Sequence, residues 1–144
     1  MSRELWNLLQ ASQEAFGSRP LVRLQDREFS FNEVFWRAEE LSGELAQSGL
    51  RPGDPVALTL PNRPAFLVAL LAVWKLGSPV ALVSPRYSSS ELGAIVRGAG
   101  VSTFIATASH AEKILQLLQR GRTIPFGDGY ASERILHILQ YGTL

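Results

Sequence analysis

Two lysines, two histidines and a few glycine turns are the residues of this chain with types suited to chemistry, at positions Lys75, Lys113, His110 and His137. A lysine beside a turn rich in glycine and hydroxyls can cradle phosphate, because backbone N–H groups and an ammonium meet the anion together. Neither lysine sits in such a turn; the apolar spacing around each places both in mid-helix. Gly98-Ala-Gly100 precedes a strand candidate instead of following one, the wrong polarity for a phosphate loop. Gly127-Asp-Gly129 precedes a helix candidate, but Asp128 would repel phosphate, and the turn reads as a cap. His110 and His137 are 27 residues apart, with no cysteine in the chain and no acid at ligand spacing, so both read as solvated helix residues and no metal site is expected. No Gly-x-Ser-x-Gly elbow exposes a nucleophilic serine. Glu39 and Glu40 read as a solvated helix face, and Trp36 and Trp74 as packing residues. One loop keeps a ligand-facing reading. Ser84-Pro-Arg86 follows the end of a predicted parallel strand, where open α/β sheets bind ligands.

The elements that must position that loop are legible as a β-α alternation. Leu5, Leu8, Leu9, Ser12 and Phe16 predict one buried face of a helix over 3–16, stopped by Gly17. Leu21–Leu24 and Glu28–Ser30 flank a polar turn and predict a hairpin. Ser30 with Glu33 forms a capping box ahead of the stripe Phe31, Val34, Phe35, Ala38, Leu41 and Leu45. Val56–Leu60 is a strand candidate apolar on both faces, and Asn62 is placed to cap the apolar helix 65–76. Pro79–Val83 is the next strand. Ser88 with Glu91 opens a helix to Gly98, Thr103–Ala106 is a third strand, and Ser109 with Glu112 opens a helix through Ile114, Leu117 and Leu118 to Arg120. The expected fold is α/β, a three-layer sandwich of parallel β-α units with an N-terminal helix and β-hairpin. Glycine and proline crowd residues 121–129, a possible joint, before a last helix over Tyr130–Tyr141.

Length and composition bound the answer. The 144 residues fit one domain, and 46% apolar with 19% charged residues is a globular balance. A net charge of +1 offers no basic field for nucleic acid or an anionic membrane. The longest apolar run, Ala65–Trp74, has ten residues, short of the roughly 20 a bilayer-spanning helix needs. With no secretory h-region at the N-terminus and no cysteine, a cytoplasmic location is the expectation.

Residues 5–118 resemble the amino-terminal subdomain of the adenylate-forming ligases, the superfamily of acyl-CoA and aryl-CoA synthetases, luciferases and peptide-synthetase adenylation domains. The resemblance rests on Phe29-Ser-Phe-Asn-Glu-Val34, Gly49-Leu-Arg-Pro-Gly-Asp54, Val56-Ala-Leu-Thr-Leu-Pro-Asn62, Ala69-Leu-Leu-Ala-Val-Trp-Lys-Leu-Gly77 and Pro85-Arg-Tyr-Ser88 with Glu91-Leu92, in this order. Where the family carries a proline after the Gly77 position, this chain has Leu82, and Pro79 stands earlier. The resemblance implies a parent reaction in which ATP, Mg and a carboxylic acid give an acyl-adenylate that passes to CoA. It places Ser84 and Arg86 beside the CoA nucleotide. The family's Ser/Thr/Gly-rich loop ending in Pro-Lys-Gly is not found here, nor are its later motifs, so the chain reads as truncated before the ATP site. No cofactor and no catalytic residue is expected for this chain alone.

The tail brings a second resemblance. Pro125-Phe-Gly-Asp-Gly-Tyr-Ala-Ser-Glu-Arg-Ile135 is similar to the C-terminal segment of UDP-N-acetylglucosamine 2-epimerases. The expected division is therefore a ligase-like subdomain over 1–120 and a linker and helix over 121–144, with a different origin for the tail as one option. Three functional readings stay open. One is an inactive ligase fragment. Another is an interaction module or split-enzyme half completing a site with a complementary ligase chain. The third is a small nucleotide-sugar binder using the tail. The apolar region 52–85 adds an expectation of an exposed patch and self-association.

Overall fold

The computed structural model describes residues 2–101, 103–120 and 136–138. Helix α1 (Ser2–Phe16) is followed by the hairpin β1 (Pro20–Leu24) and β2 (Arg27–Ser30), then by helix α2 (Phe31–Gln47). Strand β3 (Val56–Thr59), helix α3 (Pro64–Lys75), strand β4 (Val80–Leu82), helix α4 (Ser89–Ala99), strand β5 (Thr103–Ala106) and helix α5 (Ala108–Arg120) come next, with strand β6 (Leu136–Ile138) last. The sheet order is β4-β3-β5-β6, every neighbour parallel, with Val56 opposite both Val80 and Thr103.

Alternation along the strands makes three layers. Val56, Leu58 and Ile105 join a core with α1, α2, α3 and the hairpin. Ala57, Phe104 and Ala106 join a second core containing Leu92 of α4 and Ala111 and Ile114 of α5. The apolar β3 and α3 are thus covered by the chain itself, and Leu82 is the one large exposed hydrophobe between residues 52 and 85. The other large exposed hydrophobes among the described residues are Leu5, Leu8, Phe16, Trp36 and Leu115. Trp36 is 58% exposed, so it packs in no core; Trp74 is partly buried against the first one. Leu82 in place of the family's proline leaves β4 in register. Leu58 pairs with Leu82, and the Val83 N–H continues the ladder to the Leu58 carbonyl at 2.9 Å.

Several local expectations are corrected. The buried face of α1 is centred on Trp6, with Leu9, Gln10 and Gln13 half-buried, whereas Leu5 and Leu8 lie outside at 37% and 68% exposure. One position along a helix is a turn of about 100°, and an indole offers more apolar area than either leucine. At Ser30 only half of the box forms. The Ser30 hydroxyl accepts from the Glu33 N–H at 3.1 Å, while the Glu33 carboxylate meets Arg27 and Arg37 instead. Asn62 is not the cap of α3; Arg63 holds that position with no side-chain bond and Pro64 is the first helical residue. Proline drives the residue before it to extended backbone, here φ −133° and ψ 167°, which fixes the cap at Arg63, one residue later than expected, and the helix start at Pro64, one residue earlier. Nor does Ser109 cap α5. The helix begins at Ala108, straight after β5, and the Thr107 hydroxyl accepts from the His110 N–H at 3.4 Å. The helix expected over Tyr130–Tyr141 is a strand at Leu136–Ile138, parallel to β5. The rest of that expected helix and the epimerase-like run 125–135 lie outside the described residues.

Candidate functional site

The C-terminal ends of β3, β4 and β5 open on one edge of the sheet, and the loop from β4 to α4 crosses it. Four residues of that loop form a turn. The Tyr87 N–H donates to the Ser84 carbonyl at 3.2 Å, with Pro85 in the second position, where its fixed φ favours such a turn. The Ser84 hydroxyl accepts from the Arg86 N–H at 3.2 Å, a serine turn nested inside the first. Arg86 sits at the corner, exposed, and its guanidinium has no ionic partner among the described residues. Directly after the turn, Ser88 and Glu91 make a complete capping box at the start of α4. The Ser88 N–H and hydroxyl hold the Glu91 carboxyl below the usual glutamate range.

Helix α5 packs behind this loop. Lys113 donates its ammonium to the Pro85 carbonyl at 2.5 Å, and His110 brings Nδ1 to 3.4 Å from the Thr59 carbonyl. The expectation of His110 as a solvated residue is therefore corrected: it is half-buried against the end of β3. A cleft of about 10 Å³ lies between these groups, lined by Thr59, Val83, Ser84, Tyr87, His110 and Lys113 among others. That is room for a single water, so a ligand of any size must lie across the turn and not inside the cleft. The Thr59 hydroxyl is buried there with no hydrogen-bond partner among the described residues. A more open groove of about 220 Å³ runs between the hairpin and the start of α3, beside Arg23, Asn62 and Arg63. It holds no buried polar group pointing at a ligand.

Ser84 and Arg86 thus sit together at the sheet edge, as the spacing predicts, and the structure adds Lys113, His110 and Thr59 to them. The signal for those three is tertiary: Lys113 and Pro85 are 28 residues apart, and His110 and Thr59 are 51 apart. Lys75, the other lysine, pairs with Glu39 at 3.1 Å and lies over the Trp6 ring, away from this edge. Neither lysine stands in a glycine-rich turn. Among the described residues no group of three or more His, Cys, Asp or Glu is placed to hold a metal ion, and no helix is long and apolar enough to cross a membrane.

The C-terminal ends of parallel strands, which this turn crosses, are where open α/β sheets bind ligands. The sequence profile of the family described as "AMP-binding enzyme" matches residues 9–139, and the chain belongs to that family. A feruloyl-CoA synthase of Amycolatopsis sp is 33% identical over 96 residues, which are 67% of this chain and 20% of that protein. An acetyl-coenzyme A synthetase of Bartonella bacilliformis is 31% identical over 114 residues, 78% of this chain and 16% of that protein. The solved N-terminal subdomain of Klebsiella oxytoca NpsA superposes with a TM-score of 0.66 at 21% identity, over 70% of this chain and 26% of that one. The shared fold is that of the front of such enzymes, and the chain spans about a fifth of the feruloyl-CoA synthase it matches.

Proposed function

We propose that this chain supplies the front scaffold and the CoA-side loop of an AMP-forming acid–CoA ligase. The reaction class is activation of a carboxylic acid by ATP to an acyl-adenylate, followed by transfer of the acyl group to CoA. The observation that carries the reading is the Arg86 guanidinium at the corner of the Ser84–Tyr87 turn, exposed and without an ionic partner among the described residues. An arginine on a held turn, free of ionic partners among the described residues, is suited to a phosphate of the CoA nucleotide, because its fork meets two oxygens at once. The CoA-forming relatives support an acid–CoA ligase, and both an aryl and an acyl substrate class are represented among them.

Acid activation itself needs a cradle for three phosphates with a cation against the developing charge. Lys75 and Lys113 are both engaged on helices and neither is in such a cradle. The chain by itself is therefore expected not to adenylate an acid. ATP–pyrophosphate exchange, run on the chain alone and again with the product of the neighbouring reading frame, tests this. Exchange only in the mixture supports a scaffold completed by a second chain; exchange by the chain alone overturns the reading.

A further inference from the structure

The peptide plane joining Pro85 to Arg86 is held at both of its polar ends. Its carbonyl oxygen accepts from Lys113 at 2.5 Å, and its N–H donates to the Ser84 hydroxyl at 3.2 Å. Proline fixes one neighbouring torsion of the same segment, and the Tyr87 N–H closes the turn on the Ser84 carbonyl. A peptide plane fixed at both ends fixes the direction in which the next Cα–Cβ bond leaves the backbone, and here that bond belongs to Arg86. Only one of these four restraints comes from outside the loop. Lys113 reaches across from α5, a helix whose buried face carries Ala111 and Ile114 in the second core. Next to it on the same helix, His110 meets the end of β3. The helix therefore ties the loop to the sheet.

We propose that Lys113 is a positioning residue for the phosphate site: its ammonium braces the Pro85 carbonyl and thereby aims Arg86, without itself touching the ligand. The inference rests on the CoA-side reading of Arg86 given above. It assigns a task to the lysine that lies at the sheet edge, and it reassigns Ser84 from ligand contact to support of the turn. A brace of this kind lowers the ordering that the loop must undergo on binding, which is how a residue raises affinity without a contact.

The test separates the brace from the reading it rests on. Calorimetric titration of the chain with CoA compares wild type, Lys113→Met, Lys113→Arg, Arg86→Ala and the Lys113→Met/Arg86→Ala double variant. Lys113 is exposed, so these variants fold, and circular dichroism confirms it. Lys113→Met is expected to weaken CoA binding about three- to tenfold, the size of one modest hydrogen bond, and Lys113→Arg to restore it. In the Arg86→Ala background Lys113→Met is expected to have no further effect, because the group it aims is gone. Independent, additive losses would overturn the brace, since they mean direct ligand contact. Amide hydrogen exchange gives a second readout that needs no ligand. The Arg86 N–H is expected to exchange faster in Lys113→Met and normally in Lys113→Arg, with the β3 and β5 amides unchanged. Unchanged exchange at Arg86 overturns the brace; absence of CoA binding by wild type overturns the CoA-side reading alone, and the amide exchange then decides the brace.

Discussion

The Trp6 ring lies 5.1 Å from the Phe35 ring at an interplanar angle of 39°, and this pair fastens α1 to α2. Lys75 of α3 places its ammonium 5.3 Å from the centre of the same indole, so one side chain ties three helices together. Trp6→Ala is expected to cost about 3–5 kcal/mol, the usual loss for a buried aromatic in a core. Leu8→Ala, on the same helix but 68% exposed, is expected to stay within about 0.5 kcal/mol. Chemical denaturation of the two variants checks this, and equal losses would restore the Leu5–Leu8 face as the buried one.

That contrast shows where the sequence is legible and where it is not. Positions of elements follow from local patterns: β3, β5 and α2 lie within a residue or two of the apolar runs that mark them. Which side of α1 is buried depends on what waits for it, and Phe35 and Lys75 are contributed by elements 29 and 69 residues along the chain from Trp6. The Ser84-Pro-Arg86 turn is legible because its restraints are mostly internal, a proline and a serine acting on their neighbours. The Lys113 and His110 contacts are not, because they exist only once α5 has packed on the sheet. Leu136–Ile138 fails for the same reason: a short apolar run fits helix or strand, and pairing with β5 decides it.

The Ser88–Glu91 box is exposed and makes the entry to α4 sensitive to acid. Glu91 has its carboxyl held below the ordinary range by the Ser88 N–H and hydroxyl, so its contribution is present above that range and is lost as pH falls through the lowered value. Ser88→Ala removes the cap and is expected to cost about 0.5–2 kcal/mol near neutral pH. Thermal melts from neutral to acid pH check both points. The difference between wild type and Ser88→Ala should shrink at the acid end, and a difference that grows there would contradict the assignment.

Thr59 is 1% exposed, and its hydroxyl has no partner among the described residues. An unpaired buried hydroxyl carries a desolvation cost that nothing offsets. Thr59→Val keeps the β-branched shape suited to a strand and removes that cost. The expected outcome is unchanged stability or a gain of up to about 1 kcal/mol. A loss beyond about 1 kcal/mol on urea unfolding would show that the hydroxyl is satisfied in solution.

Gly17 closes α1 for reasons of space. Its φ does not lie in the left-handed region, unlike those of Gly49, Gly53, Gly77 and Gly100, so the backbone there tolerates other residues. A Cβ at Gly17, however, would meet Asn32 Oδ1 at 2.6 Å and Nδ2 at 2.7 Å. Asn32 is held there: its N–H donates to the Gly17 carbonyl at 2.9 Å, and its side-chain oxygen accepts from Gln13 at 2.9 Å. The amide is exposed enough to swing away, and doing so breaks the Gln13 bond. Gly17→Ala is therefore expected to cost about 0.5–1.5 kcal/mol, the worth of one hydrogen bond, even though alanine otherwise stabilises where the backbone conformation suits it. In an Asn32→Ala background the crowding is gone, and Gly17→Ala is expected to cost nothing or to stabilise slightly. A double-mutant cycle by chemical denaturation reads this directly, and equal costs in the two backgrounds would rule out the steric account.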